Sequence, residues 1–196
     1  MLVRCFIAVE INERALERLK EPMKELLKVE GIRTPHPNNL HITLKFLGDV
    51  PPDKLERVKQ LLSRISFSPF TIRFKGIGVF PNEEYVRIIW AGIESKELIK
   101  LAKDINFALK GIFKEEEFTP HLTIGRVSKR VDLKGFLHKY TNKEFGGSKI
   151  ISFSLVESKL TPRGPIYSEI EKYAETKSES MRPKIGHILS GTTHRS

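Results

Sequence analysis

Apolar residues recur along this chain with two alternating periods, and the alternation sets out its elements. Residues 2–10, LVRCFIAVE, form a dense apolar run that predicts a strand; residues 12–29 then carry Leu16, Leu19, Met23, Leu26 and Leu27 at helical spacing. A strand followed by a helix opens the fold. A turn rich in proline and asparagine, Pro35 to Asn39, leads into the run HITLKFLG, after which PPDKLERVKQLLSRI starts on prolines and keeps Leu55, Val58, Leu62 and Ile65 on one face. Strand and helix occur again. Residues 70–79 and 84–93 are β-rich runs on either side of FPNE, the pattern of an antiparallel hairpin. Leu98, Leu101, Ile105, Leu109 and Ile112 predict a third helix, FTPHLTIGRV a further strand, and residues 132–142 a short helix. Two last strands, 149–160 and 165–173, flank the turn TPRG. The second half repeats the logic of the first.

Beyond Ala174 the periodicity stops. Residues 175–196 are polar and end in a Ser/Thr/Gly-rich run, a composition that cannot repay the entropy of ordering, so this basic tail is expected to lie outside the fold of residues 1–174. His187 and His194 fall within it. At 196 residues and 39% hydrophobic, the chain can bury a substantial core as one domain or two closely packed lobes. No run approaches the roughly 18 apolar residues of a membrane span, and the start MLVRCFIAVEI reads as a strand rather than a leader, so a cytoplasmic protein without membrane contact is expected. Cys5 is the sole cysteine, which removes intrachain disulfides and cysteine zinc sites; it reads as a small apolar filler of the first strand. A net charge of +10 favours polyanionic partners, nucleic acid or a phosphorylated substrate foremost. Lysine- and glutamate-rich solvated helix faces account for the charge equally well.

Two polar residues interrupt the apolar run HITLKFLG. In a strand, side chains alternate faces, so His41 and Thr43 point one way while Ile42 and Leu44 point the other. His121 and Thr123 repeat the arrangement in HLTIGR, 80 residues on, with Leu122 and Ile124 as the packing face. At this composition a histidine has a threonine two residues on roughly one time in twenty, so one His-x-Thr means little; two, each entering a β-like run, call for a common cause. If the two strands lie side by side about an approximate internal two-fold, two imidazoles and two hydroxyls meet in one cleft. Such a set suits in-line attack on a phosphodiester, which needs a base, an acid opposite it, and donors for the non-bridging oxygens. Imidazole titrates near neutrality and serves in either role. Threonine hydroxyls and Arg126 supply the donors. Two histidines with only the distant Glu115, Glu116 and Glu117 make a poor zinc set, so neither metal nor cofactor is expected. His36 and His138 have no such context and read as loop or surface residues.

The paired HITL and HLTI match the His-x-Thr-x signature of the two-histidine phosphoesterase superfamily. The surrounding blocks RCFIAVEI, GIGVFPN, VRIIWAGI, FTPHLTIGR and LVESKLTPRGPIYSEI resemble its RNA 2′,3′-cyclic phosphodiesterase branch, once called 2′–5′ RNA ligases (LigT-like), over residues 2–173. The resemblance implies a bilobal α+β fold, with two antiparallel sheets facing a central cleft, helices outside and one motif per lobe. It implies hydrolysis of RNA 2′,3′-cyclic phosphate ends to 2′-phosphates, with 2′–5′ joining as the reverse, and tRNA fragments among the candidate substrates of a monomer. His41 is then the proton donor to the leaving 3′ oxygen and His121 the acceptor that activates water. Thr43 and Thr123 hold phosphate oxygens, Arg126 contacts phosphate, Phe46 contacts a base, and Tyr167 lies at the cleft rim. Phe46 and Arg126 each stand five residues after a histidine, and strict alternation turns both toward the packing face. A β-bulge would turn them back; Gly125 suits one, whereas the segment before Phe46 suits one less well. A non-catalytic module that holds RNA ends, and a phosphoesterase acting on another small cyclic phosphate or nucleotide, stay open as alternatives.

Overall fold

The computed structural model describes residues 1–162 and 164–174; the expected tail, with His187 and His194, lies outside the described residues. The chain runs β1 (Val3–Glu10), α1 (Glu13–Leu26), β2 (Ile32–Arg33), a 3-10 turn (Pro37–Asn39), β3 (His41–Val50), α2 (Pro52–Leu62), β4 (Phe70–Pro81), β5 (Val86–Glu94) and α3 (Lys96–Ala108). It continues with β6 (His121–Val127), α4 (Lys134–Tyr140), β7 (Glu144–Ile150), β8 (Ser152–Thr161) and β9 (Gly164–Ala174). The strands form two antiparallel sheets, one of order β3-β1-β8-β9 and the other of order β2-β6-β5-β4-β7. His41 opens a strand of the first sheet and His121 a strand of the second, and β3 and β6 touch where the sheets meet. One motif per lobe is what the resemblance implies.

Local chemistry explains the helix ends. Asn12 caps α1 by accepting the Ala15 N–H at 2.9 Å, and Ser95 caps α3 by accepting that of Leu98 at 3.1 Å, each satisfying a donor that the first turn leaves free. The third helix stops at Ala108, short of Ile112, because the chain turns through Gly111, whose φ of +81° lies in the left-handed region. The first stops at Leu26 rather than Val29 for a similar reason, with Gly31 at φ +89° leading into β2. The sequence patterns miss β2 and β7. Residues 149 and 150 belong to β7, and Ile151 separates it from β8, so the run expected at 149–160 is two strands.

Two helices, α1 and α3, cross between lobes. α1 follows β1 of the four-stranded sheet yet packs on β6 and β7 of the other, where the Asn12 N–H donates to Ser148 Oγ at 2.9 Å. α3 follows β5 of the five-stranded sheet yet packs on β3. Each motif strand is therefore backed by a helix from the opposite half, which couples the two lobes through one core that includes Leu19, Leu26, Ile42, Leu101 and Leu122. Among the described residues no helix is long and apolar enough to cross a membrane. Cys5 is buried as expected, and burial lifts its thiol to about 11, which keeps it protonated and unreactive.

Lys45 departs from the apolar pattern of this core. Only 3% exposed, it donates from Nζ to Asn106 Oδ1 of α3 at 2.6 Å and to the Lys114 carbonyl at 2.8 Å. Burial pulls its ammonium below the usual lysine range, and the carboxylates of Glu116 and Glu115 oppose that shift. Lys45→Ala strands two acceptors and is expected to cost about 1.5–3 kcal/mol, the range for bonds to a charged donor. Urea denaturation checks this: the midpoint should fall at constant slope, and an unchanged midpoint would mean that the contacts to α3 stabilise nothing.

Candidate active site

β3 and β6 share a burial pattern over their first seven residues: half-buried, buried, half-buried, buried, buried, exposed, buried. The two adjacent buried positions mark a bulge in each strand. In β3 the register with β1 passes from Ala8↔Thr43 to Ile7↔Lys45 and leaves Leu44 as the extra residue; in β6 the register with β5 passes from Trp90↔Thr123 to Ile89↔Gly125 and leaves Ile124. An extra residue reverses the alternation, so position five after each histidine returns to the histidine's own face. Phe46 and Arg126 therefore both face the cleft, and Phe46 is 64% exposed. The expectation that a bulge suits the segment before Phe46 poorly is corrected. Lys45, swung onto the packing face and held there by α3, fills the position that the bulge creates.

The two histidines are held alike. His41 Nδ1 lies 2.7 Å from the Asn39 carbonyl and His121 Nδ1 lies 2.7 Å from the Thr119 carbonyl, each two residues back. A carbonyl only accepts, so Nδ1 carries the proton in both rings and Nε2 is the nitrogen left to exchange one. Their surroundings differ. The His41 ring stacks on Phe6 at 4.7 Å and meets Tyr167 edge-on at 5.1 Å. Among the described residues His121 meets one aromatic ring, the edge of Phe80 at 5.2 Å, and it helps line a cavity of about 220 Å³ with Thr43, Phe46, Phe80 and Glu117. Burial lowers the basicity of His41; the bond to Asn39 works against this, and the Arg126 guanidinium adds to it. Burial likewise raises the Tyr167 phenol, with Arg126 opposing. Arg126, carried on one sheet, thus acts on His41 and Tyr167 of the other. Neither Thr43 nor Thr123 has a hydroxyl partner among the described residues, and both are half-buried beside the histidines.

Thr43, Phe46 and His121 line one cavity, Arg126 acts on His41 across the two sheets, Thr123 shares the His121 face of β6, and Tyr167, half-buried, stands edge-on to His41. His36 is exposed and caps the 3-10 turn; His138 is exposed on α4. Sequence reasoning missed Phe6, Phe80 and Trp90. Phe6 lies in a strand buried on both faces, and nothing in RCFIAVE separates a cleft aromatic from a core one. Trp90 stands opposite Thr123, and its ring occupies the space that a Cβ on Gly78 would need; GIG before the hairpin was the available signal. Its indole N–H is buried without a partner among the described residues. Among the described residues no three His, Cys, Asp or Glu side chains group so as to hold a metal ion.

Comparison with known proteins matches residues 9–90 and 93–167 to a family model described as LigT like Phosphoesterase. An RNA 2′,3′-cyclic phosphodiesterase of Archaeoglobus fulgidus is 40% identical over 175 residues, covering 87% of this chain and 99% of the relative. One of Methanocaldococcus jannaschii is 39% identical over 176 residues, 87% of this chain and 100% of the relative. The crystal structure of TT0787 of Thermus thermophilus has a TM-score of 0.76 at 30% identity, over 87% of this chain and 97% of that one. E. coli LigT complexed with 3′-AMP shares the fold, with a TM-score of 0.75 at 23% identity, over 90% of this chain and 100% of that one.

Proposed function

The chain belongs to the LigT-like phosphoesterase family, and on that premise we propose that it is an RNA 2′,3′-cyclic phosphodiesterase whose two imidazoles carry the chemistry without a metal. One observation carries the reading: two equivalent His-x-Thr strands, each bulged at the same place and each with Nδ1 tied to a carbonyl, leave Nε2 of both rings to exchange a proton, and His121 lines a cavity with Thr43 of the other motif. His121 Nε2 takes a proton from water as the water oxygen bonds to phosphorus. The bond from phosphorus to the 3′ oxygen breaks, and His41 Nε2 gives that oxygen its proton. A 2′-phosphate and a free 3′-hydroxyl result. Thr43, Thr123 and Arg126 hold the non-bridging oxygens, where charge builds up. Phe46 offers an exposed ring for the terminal base. With a 5′-hydroxyl in place of water the same step forms a 2′–5′ linkage.

His41 must be protonated to act as the acid, yet its surroundings favour the neutral ring. The substrate resolves this, because an anionic phosphate between His41 and Arg126 stabilises the imidazolium. In this reading the acid forms as substrate binds. RNA ends, tRNA fragments among them, are the substrates, and one copy of the chain carries the whole site.

The test is an RNA ending in a 2′,3′-cyclic phosphate, incubated in excess EDTA with identification of the product. Hydrolysis should persist and give the 2′-phosphate. Activity that vanished with EDTA and returned with Zn²⁺ or Mn²⁺ would overturn the mechanism. Binding without turnover would leave an RNA-end-binding module, and turnover confined to a different small cyclic phosphate would move the substrate class.

A further inference from the structure

β2 is two residues long, and its register places Arg33 directly opposite Arg126. Residues directly opposite in an antiparallel ladder point to the same side, so both guanidiniums face the cleft, with Ile32 and Val127 buried together behind them. Two like charges at such a position repel, and among the described residues neither makes an ion pair with a carboxylate. Every ion pair among the described residues is made by a lysine. The edge is nevertheless built to hold Arg33 in place. Ser128 donates to the Gly31 carbonyl from both its N–H, at 2.8 Å, and its Oγ, at 2.9 Å, while Gly31 takes a φ of +89° to enter the strand. Ser128 also opens onto a second cavity of about 480 Å³, walled by Arg87, Lys129 and Arg130 with Glu84. Lys129 there is paired with Glu30 and Arg87 lies over Tyr85, so Arg33 and Arg126 remain as a side-by-side arginine pair that makes no ion pair among the described residues.

The chemistry of the substrate says what such an arginine pair meets. A 2′,3′-cyclic phosphate sits at the 3′ end of an RNA, so every other phosphate lies on its 5′ side. Arg126 acts on His41 and serves the reacting phosphate. Arg33 is one strand further out, about 4.8 Å across the ladder. We propose that Arg33 and Arg126 frame a second phosphate subsite, in which Arg33 holds the phosphodiester 5′ to the terminal nucleotide, so that this chain selects an oligonucleotide end over a free cyclic nucleotide. The proposal rests on the phosphodiesterase reading and names its substrate class.

The experiment compares a dinucleotide ending in a 2′,3′-cyclic phosphate with the corresponding cyclic mononucleotide, using wild type, Arg33→Gln and Arg33→Lys. It adds dissociation constants for the 2′-phosphate forms of both, which need no turnover. Wild type should favour the dinucleotide in kcat/KM and in affinity by about tenfold or more, the effect of one charge-assisted phosphate contact. Arg33→Gln should remove most of that ratio, and Arg33→Lys should retain part, since an ammonium gives the charge without the planar fork. Wild-type affinity should also fall more steeply with salt for the dinucleotide, by about 0.7 in the logarithmic slope for each added contact. A ratio unchanged in Arg33→Gln, or equal losses on both substrates, overturns the subsite. If wild type hydrolyses neither substrate while the affinity ratio and its loss hold, the phosphodiesterase reading fails and the subsite stands. If wild type shows no preference in either measurement, the subsite fails alone.

Discussion

His41→Ala and His121→Ala are each expected to lower turnover of an RNA 2′,3′-cyclic phosphate by about 10²–10⁴, the range for losing a general acid or base. The double variant should be little worse than the poorer single one, because either loss already breaks the coupled proton transfers. Both variants should fold. Each ring lies on the cleft face, and among the described residues its only hydrogen bond is to a carbonyl two residues away, so truncation opens no hole in the core. His41→Ala gives up its stacking on Phe6 and Tyr167, worth about 0.5–1.5 kcal/mol per ring pair, and should show a slightly lower denaturation midpoint than His121→Ala. Near-wild-type turnover in either variant would remove that residue from the mechanism. Nitrogen-15 spectra of the imidazoles supply the pH arm. In the free protein His41 should titrate below the ordinary histidine value, because burial disfavours the charged ring; a bound phosphate should move its titration upward. No upward movement with phosphate would reassign the acid.

Arg126→Ala is expected to cost about 1.5–3 kcal/mol in transition-state binding, or about tenfold to more than a hundredfold in kcat/KM, on RNA and cyclic mononucleotide alike. The loss should fall on both substrates because the contact is to the reacting phosphate, which both possess. A second readout separates this from simple disruption: without the guanidinium, His41 in the free protein should titrate closer to its ordinary range, since one of the influences holding it down is gone. Phe46→Ala makes the contrast. Its ring is 64% exposed, so folding should change little, while the Michaelis constant should rise by the equivalent of about 1–3 kcal/mol with little dependence on the base. Should Arg126→Ala spare the mononucleotide, the guanidinium serves a more distant phosphate and the assignment of the reacting phosphate passes to the threonines.

The sequence by itself determined which residues carry polar chemistry inside apolar strands, and the fold class. His41 with Thr43 and His121 with Thr123 were legible because strand alternation is local: a side chain's face follows from its neighbours within two residues. The long helices were legible for the same reason, since their apolar faces repeat within a single turn or two. Tertiary structure alone decided where that alternation breaks. A bulge is defined by what stands opposite it, so the reversal at Leu44 and at Ile124, which turns Phe46 and Arg126 into the cleft, exists only against the pairing of β3 with β1 and of β6 with β5. A glycine hinted at the second bulge, and a buried lysine gave no hint of the first. β2 is too short for any period, yet its register alone sets Arg33 across from Arg126. Helices exchanged between lobes, Phe6 and Tyr167 against His41, and Arg126 reaching the opposite wall all depend on contacts between residues far apart in the chain, and such contacts leave no periodic trace in the sequence.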